Sequence, residues 1–324
     1  MKLQILVPQY KETEEIIKPL LDSIELQQNV DFNDIGVIIV NDGTDIHLSE
    51  DFLKKYKFKI EYVLNEHKGV SATRNACLDK ATADYVMFCD ADDMFFNMCG
   101  LYIILREIEN GGFDSLTSVF VEETRVPGTK EPIYINHQMD STFVHGKVHR
   151  RKYLIERNIR WNDNLTIHED SYFNCLCQKL SKNVKYCPTA FYLWKWRDGS
   201  VCRNDFKYIL KTYNNMLDSN TALVNEFLTR GRYEDAQFYC TSMVFDAYFT
   251  MNKKEWIDQE NKEYRDATER RFKDYFLKFK ELFDGTSTQV KSQIIAGIKN
   301  RMFNEGLFME SITFDDWIKH IQEL

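Results

Sequence analysis

Residues 85–93 read Tyr85-Val86-Met87-Phe88-Cys89-Asp90-Ala91-Asp92-Asp93, an apolar run that ends without a break in three carboxylates. The run from Tyr85 to Cys89 has the length of a buried strand, and the acids come immediately after it. Ligands of open α/β sheets sit outside the carboxyl ends of the strands, so this is where informative residues are expected. Three carboxylates this close repel one another unless a cation or bound donors compensate. A divalent metal is the simplest compensation, and oxygen ligands alone suit Mg²⁺ or Mn²⁺. Standing by itself, Asp-x-Asp is a weak signal, more at home in a solvated acidic turn.

Outward from this stretch, short β-rich runs alternate with amphipathic helical ones. Strands are expected at Leu3–Val7, Gly36–Val40 and Ile60–Leu64. Helices are expected over Ile16–Ile24, over Val70–Ala81, and around Leu101/Ile104/Leu105/Ile108. This is the βαβ rhythm of a mostly parallel sheet. All five prolines fall before residue 189, and the rest of the chain is proline-free with long 3.6-residue periodicity. The stripes Phe206/Ile209/Leu210/Tyr213/Leu217, Tyr239/Met243/Ala247/Met251 and Phe272/Tyr275/Phe276/Phe279/Phe283 each draw one apolar helix face, with Gly231 and Gly285 as helix stops. The expectation is therefore an α/β domain over residues 1–204 and an all-helical region over 205–324, the latter serving acceptor binding or oligomerisation.

Composition narrows the function. With 44% apolar and 28% charged residues the chain is ordinary globular protein rather than disordered. A net charge of −8 without a basic stripe disfavours nucleic acid as a partner. The run Lys147-Val148-His149-Arg150-Arg151-Lys152 is a local exception, read as the solvated start of a helix. Eight cysteines lie in apolar or helical stretches, with Cys175 and Cys177 spaced for opposite sides of a helix and no CxxC pair. They read as core residues in a reduced, cytoplasmic compartment. No apolar run reaches the ~20 residues of a membrane span.

Other strand ends are equally marked. Val7-Pro8-Gln9-Tyr10-Lys11-Glu12 and Val40-Asn41-Asp42-Gly43-Thr44-Asp45 close the first two strands, Lys68-Gly69-Val70-Ser71-Ala72-Thr73-Arg74-Asn75 opens a helix, and Glu169-Asp170-Ser171-Tyr172-Phe173 opens another. With Asp90-Ala91-Asp92-Asp93, these five motifs in this order resemble those of family-2 glycosyltransferases with the GT-A fold. The resemblance spans about residues 1–204. Two departures are small: Asn41-Asp42-Gly43-Thr44 stands for the usual Asp-Asp-Gly-Ser, and Thr73-Arg74-Asn75 for Ala-Arg-Asn.

The resemblance implies an inverting, metal-dependent transfer of a sugar from a nucleotide diphosphate donor to an acceptor hydroxyl. Pro8, Tyr10 and Glu12 would line the donor site. Asp42 would accept from the N3–H of uracil or thymine, which favours a UDP-sugar or dTDP-sugar over a cytidine carrier. Arg74 would contact the nucleotide or its phosphates. Asp92 would bind Mn²⁺ or Mg²⁺ directly, with Asp90 shared between metal and ribose. Asp170 matches the base that deprotonates the acceptor, with Glu169 beside it, although either acid could simply stabilise a helix N-terminus. Trp194-Lys195-Trp196-Arg197-Asp198-Gly199-Ser200 resembles a segment that folds over the diphosphate, so Arg197 and Ser200 would clamp phosphate. A nucleotidyltransferase would instead show a glycine-rich loop after the first strand. The rival from another class is a catalytically silent nucleotide-sugar-binding module, against which the retention of Asp170 counts.

Overall fold

The computed structural model describes residues 1–126, 128–197, 206–257, 262–304 and 312–324. The chain separates into two compact units, Met1–Ser200 and Val201–Leu324. The expected boundary near residue 204 and the expected phosphate contact Ser200 lie outside the described residues, as does Cys202.

The first unit is built on nine strands: β1 (Leu3–Gln9), β2 (Ile35–Asp42), β3 (Lys59–Asn65), β4 (Tyr85–Phe88), β5 (Met94–Phe95), β6 (Ser115–Arg125), β7 (Pro132–His137), β8 (Lys147–Arg150) and β9 (Val184–Trp194). Their order is β3-β2-β1-β4-β8-β6-β9-β5, with β7 paired to β6. The half β3-β2-β1-β4 is parallel, while β8 runs antiparallel to both β4 and β6. The expected mostly parallel α/β sheet is thus present, extended by a mixed half. The chain turns from β2 and β3 on one side of β1 to β4 on the other, and at such a switch open sheets bind their ligands outside the carboxyl ends of the strands.

Strands β1 and β2 are buried almost throughout, which is why they read as continuous apolar runs rather than alternating ones. Helices α1 (Glu14–Glu25), α2 (Glu50–Leu53), α3 (Val70–Lys80), α4 (Gly100–Glu109), α5 (Arg151–Glu156) and α6 (Glu169–Lys179) complete the unit. Helix α1 turns Ile17, Leu20, Leu21 and Ile24 into the core beside Leu3, Ile5, Val37 and Ile39. Gly43, at φ +70°, lets the backbone after β2 pass so close to residue 67 that a Cβ there would stand 2.2 Å from the His67 nitrogen. Only glycine meets both demands.

The basic run departs from expectation. Lys147, Val148 and His149 lie in β8 rather than on a helix, and all three are buried. The strand is short and central, so tertiary pairing with β4 and β6 overrides the charge pattern.

The second unit consists of α7 (Phe206–Thr229), α8 (Tyr233–Met251), α9 (Lys254–Ile257), α10 (Lys262–Asp284), α11 (Thr288–Asn304) and α12 (Phe314–Glu323). Its core joins Tyr213, Leu217 and Phe227 to Val244 and Ala247, and the α10 stripe of Phe272, Tyr275, Phe276, Phe279 and Phe283 to Trp317 of α12. Gly231, at φ +69°, and Gly285 come just after the ends of α7 and α10 as expected. Among the described residues all seven cysteines are free thiols, and no helix is long and apolar enough to cross a membrane.

Candidate active site

The strand ends converge. After β1, the Tyr10 amide donates to Glu12 Oε2 (2.9 Å) and the Tyr10 ring stacks on His67 at 4.9 Å between centroids. Gln9 and Asn41, at the ends of β1 and β2, are tied by hydrogen bonds to each other and to Tyr62, fixing the floor beneath them. Asp42 closes β2. Its Oδ1 accepts from the Lys68 amide (2.8 Å), and its Oδ2 accepts from the Gly69 amide (3.0 Å) and lies 2.9 Å from His67 Nδ1. Gly69, at φ +90°, takes a positive-φ backbone that glycine adopts readily, with its N–H on this carboxylate before α3 begins. Asp42 is therefore nearly buried, with the exposed Tyr10–His67 stack beside it.

Arg74 is the centre of the constellation. One turn into α3 and 3% exposed, it lies over the Trp161 ring and donates through Nη1 to Glu169 Oε1 (2.9 Å) and Asp170 Oδ1 (2.8 Å), and through Nη2 to Asp90 Oδ1 (3.0 Å). Both terminal nitrogens are engaged by carboxylates. Arg74 thus reaches side chains 95 and 96 residues further along the chain.

Glu169 and Asp170 are the first two residues of α6, after His168 in the left-handed conformation at φ +63°. A non-glycine residue there carries local strain. Asp170 does not cap the helix. Its oxygens go to Arg74 and to the Val144 amide (3.3 Å), away from the helix N–H groups. Burial, opposed by Arg74 but reinforced by Glu169 and Asp90, pushes the Asp170 carboxyl up to about 8.

The acids after β4 divide. Burial works upward on Asp90, but Arg74, His145 and Arg197 outweigh it and hold the carboxyl below its ordinary value. Asp93 is fully buried, accepts from Tyr192 OH (2.5 Å) and the Lys195 amide (2.9 Å), and is pushed well upward by burial and by Asp90 and Asp92. Asp92 instead pairs with Arg197 Nη1 (3.1 Å), which also reaches Glu12 Oε1 (3.1 Å).

Ligand atoms of Asp90, Asp93 and His145 lie within 4.8 Å of one another. Nδ1 of His145 is buried, has no hydrogen-bond partner among the described residues, and stands 3.7 Å from Asp93 Oδ2. Burial pushes the imidazole down to about 3, leaving a neutral ring with a nitrogen to offer. Crowded acids beside an orphaned imidazole fit a divalent cation. The set differs from the sequence expectation: His145 joins Asp90 and Asp93, and Asp92 stands aside on Arg197. His67 and His145 were both missed, because nothing local distinguishes them from the other histidines of seven in the chain.

Comparison with known proteins agrees with this architecture. The sequence pattern of glycosyl transferase family 2 matches residues 4–179, more than half of the chain. The chain belongs to glycosyl transferase family 2. Among curated relatives of this family it is 24% identical over 226 residues to the uncharacterized glycosyltransferase EpsJ of Bacillus subtilis, covering 63% of this chain and 64% of that one. It is 29% identical over 205 residues to a teichoic acid poly(glycerol phosphate) polymerase of Staphylococcus epidermidis, covering 59% of this chain and 28% of that one. The chain thus spans less than two-thirds of either relative. A crystal structure of S. aureus TarS residues 1–349 with UDP-GlcNAc superposes with a TM-score of 0.58 at 17% identity, covering 96% of this chain and 93% of that one. The shared fold is GT-A, a mixed sheet with parallel strands, followed by helices.

Proposed function

We propose that this family-2 glycosyltransferase moves a sugar from a UDP-sugar to an acceptor hydroxyl with inversion, and that Asp170 is the base. The observation that carries the reading is the Arg74 cluster, in which one buried guanidinium holds the acid after β4 and the acids opening α6 together. A donor lying along the strand ends would stack its base on Tyr10 and His67 with Asp42 beneath. Its anomeric carbon would then lie beside the β4 acids with Asp170 towards the acceptor, the approach an in-line displacement needs. The UDP-GlcNAc held by the TarS structure supports uridine over thymidine as carrier.

Asp90, Asp93 and His145 would hold the cation, Mn²⁺ by preference because the set mixes imidazole with carboxylate. When bound, it supplies charge neutralisation for the diphosphate leaving group. Arg197, now shared by Glu12 and Asp92, would meet the same phosphates. For the acceptor we favour a hydroxyl of a surface glycan or polyol phosphate polymer, in line with the teichoic acid relative.

The base is tested by Asp170→Asn. Transfer should fall roughly 10²–10⁴-fold, while UDP affinity by calorimetry stays within about threefold, since nucleotide binding uses no proton transfer. Glu169→Gln should lose less. Near-normal transfer by Asp170→Asn would remove Asp170 from the chemistry and put the base elsewhere, whereas the absence of transfer by the unaltered protein would favour the silent binding module.

A further inference from the structure

The turn between β7 and β8 touches both halves of the site. Val144 donates its N–H to Asp170, and the next residue, His145, faces Asp90 and Asp93. Small shifts of this turn would therefore move the base and the cation site together.

What holds the turn is a buried charge. Asp140 Oδ1 accepts from the amides of Thr142 (2.9 Å) and Phe143 (2.8 Å), curling the segment back on itself. The Lys147 ammonium enters this curl, donating to the Phe143 carbonyl and reaching Asp140 Oδ1 at 3.4 Å. Lys147 is 1% exposed. Burying an ammonium is costly unless it is well hydrogen-bonded, so an apolar side chain would fill this space more cheaply if filling were all that mattered. The turn is fastened elsewhere as well. Asn174 of α6 donates to the Thr142 carbonyl (2.9 Å), and Ser118 of β6 donates to the Gly146 carbonyl through its amide (3.0 Å) and its hydroxyl (2.9 Å). Gly146, at φ +66°, has no room for a Cβ, which would stand 2.4 Å from Ser118 Oγ.

We propose that Lys147 is a positioning residue for both halves of the site, its ammonium fixing the Asp140–Gly146 turn so that Val144 meets Asp170 while His145 meets Asp90 and Asp93. The inference rests on Asp170 being the base and His145 a cation ligand. It adds a residue that touches neither substrate nor cation. Its effect runs through backbone geometry.

Lys147→Met keeps the length of the side chain and removes its charge. With Mn²⁺ and UDP-GlcNAc as probes, kcat for UDP release should fall about tenfold or more while KM changes by less than about threefold, the pattern of a lost transition-state interaction. Mn²⁺ binding by electron paramagnetic resonance, which needs no donor, should weaken several-fold. Asp140→Asn retains the acceptor for the two amides but loses the negative charge, so it should move both quantities in the same direction by less. A purely structural role would lower the melting temperature of either variant and leave kcat per folded molecule and Mn²⁺ affinity unchanged, which overturns the inference. Asp170→Asn in parallel separates the two ideas. If it turns over normally, the base reading fails and takes this inference with it; if it collapses while Lys147→Met works at the wild-type rate with wild-type Mn²⁺ affinity, only the inference fails.

Discussion

At the scale of single residues, the site depends on where charge is left uncompensated. Asp92 and His145 make opposite predictions for the cation. If Asp90, Asp93 and His145 form the set, His145→Ala should weaken Mn²⁺ binding by about tenfold or more, the range in which loss of even a supporting ligand contact falls. Asp92→Ala should weaken it much less, because its carboxylate is paired with Arg197. Titrating Mn²⁺ into both variants checks this, and a larger loss in Asp92→Ala would restore the Asp-x-Asp reading. Donor-base preference is a second residue-scale test. Cytosine offers a lone pair where uracil offers N3–H, so UDP should outbind CDP by about 1–3 kcal/mol. Calorimetry with both nucleotides measures it, and Asp42→Asn should narrow the gap.

Elements decide whether these residues meet. The connection from β2 to α3 must bring residues 67–69 over the Asp42 carboxylate, and Gly43 is what permits the approach. Gly43→Ala should force the backbone apart at that point. We expect a loss of more than about 1 kcal/mol, from a positive φ that alanine resists and from the clash together. Thermal unfolding should show it, with UDP binding weakened in the same variant. Helix α6 illustrates the other side of the same scale. A pair of acids at a helix start is usually accounted for by the helix dipole. Here the network of Arg74 and Val144 claims Asp170, so the pair has a role that its position in the helix does not require.

Across the whole molecule, buried neutral histidine makes stability depend on pH. His149 is buried in β8 with Ser115 Oγ 3.1 Å from Nδ1, and burial, together with the Lys147 ammonium, holds its ring down at about 3 against an ordinary 6.5. The unfolded chain binds a proton below pH 6.5 that the native chain refuses. The contribution is therefore fully present above about 6.5 and is lost as pH falls towards 3, with a slope of up to ~1.4 kcal/mol per unit. His149→Asn, which can keep the bond to Ser115, should flatten the melting temperature between pH 6.5 and 4.5; an unchanged profile would mean that other groups govern it.

The sequence by itself determined the local parts. Continuous apolar runs in β1 and β2, the carboxylates at strand ends, the glycines at turns and the stripes of α8 and α10 are short-range patterns, and each is where the chain places it. It also carried the family, because five motifs in order are a one-dimensional signal. Only the tertiary structure decided what those parts do to one another. Nothing beside Arg74 in the chain tells that Asp90, Glu169 and Asp170 surround it, and His145 is an ordinary histidine until the turn after β7 sets it against Asp93. Lys147 reads as a surface cation until β4 and β6 close over it. The physical reason is common to all three: burial and charge pairing depend on distances between residues far apart in the chain, and those distances exist only once the sheet has assembled.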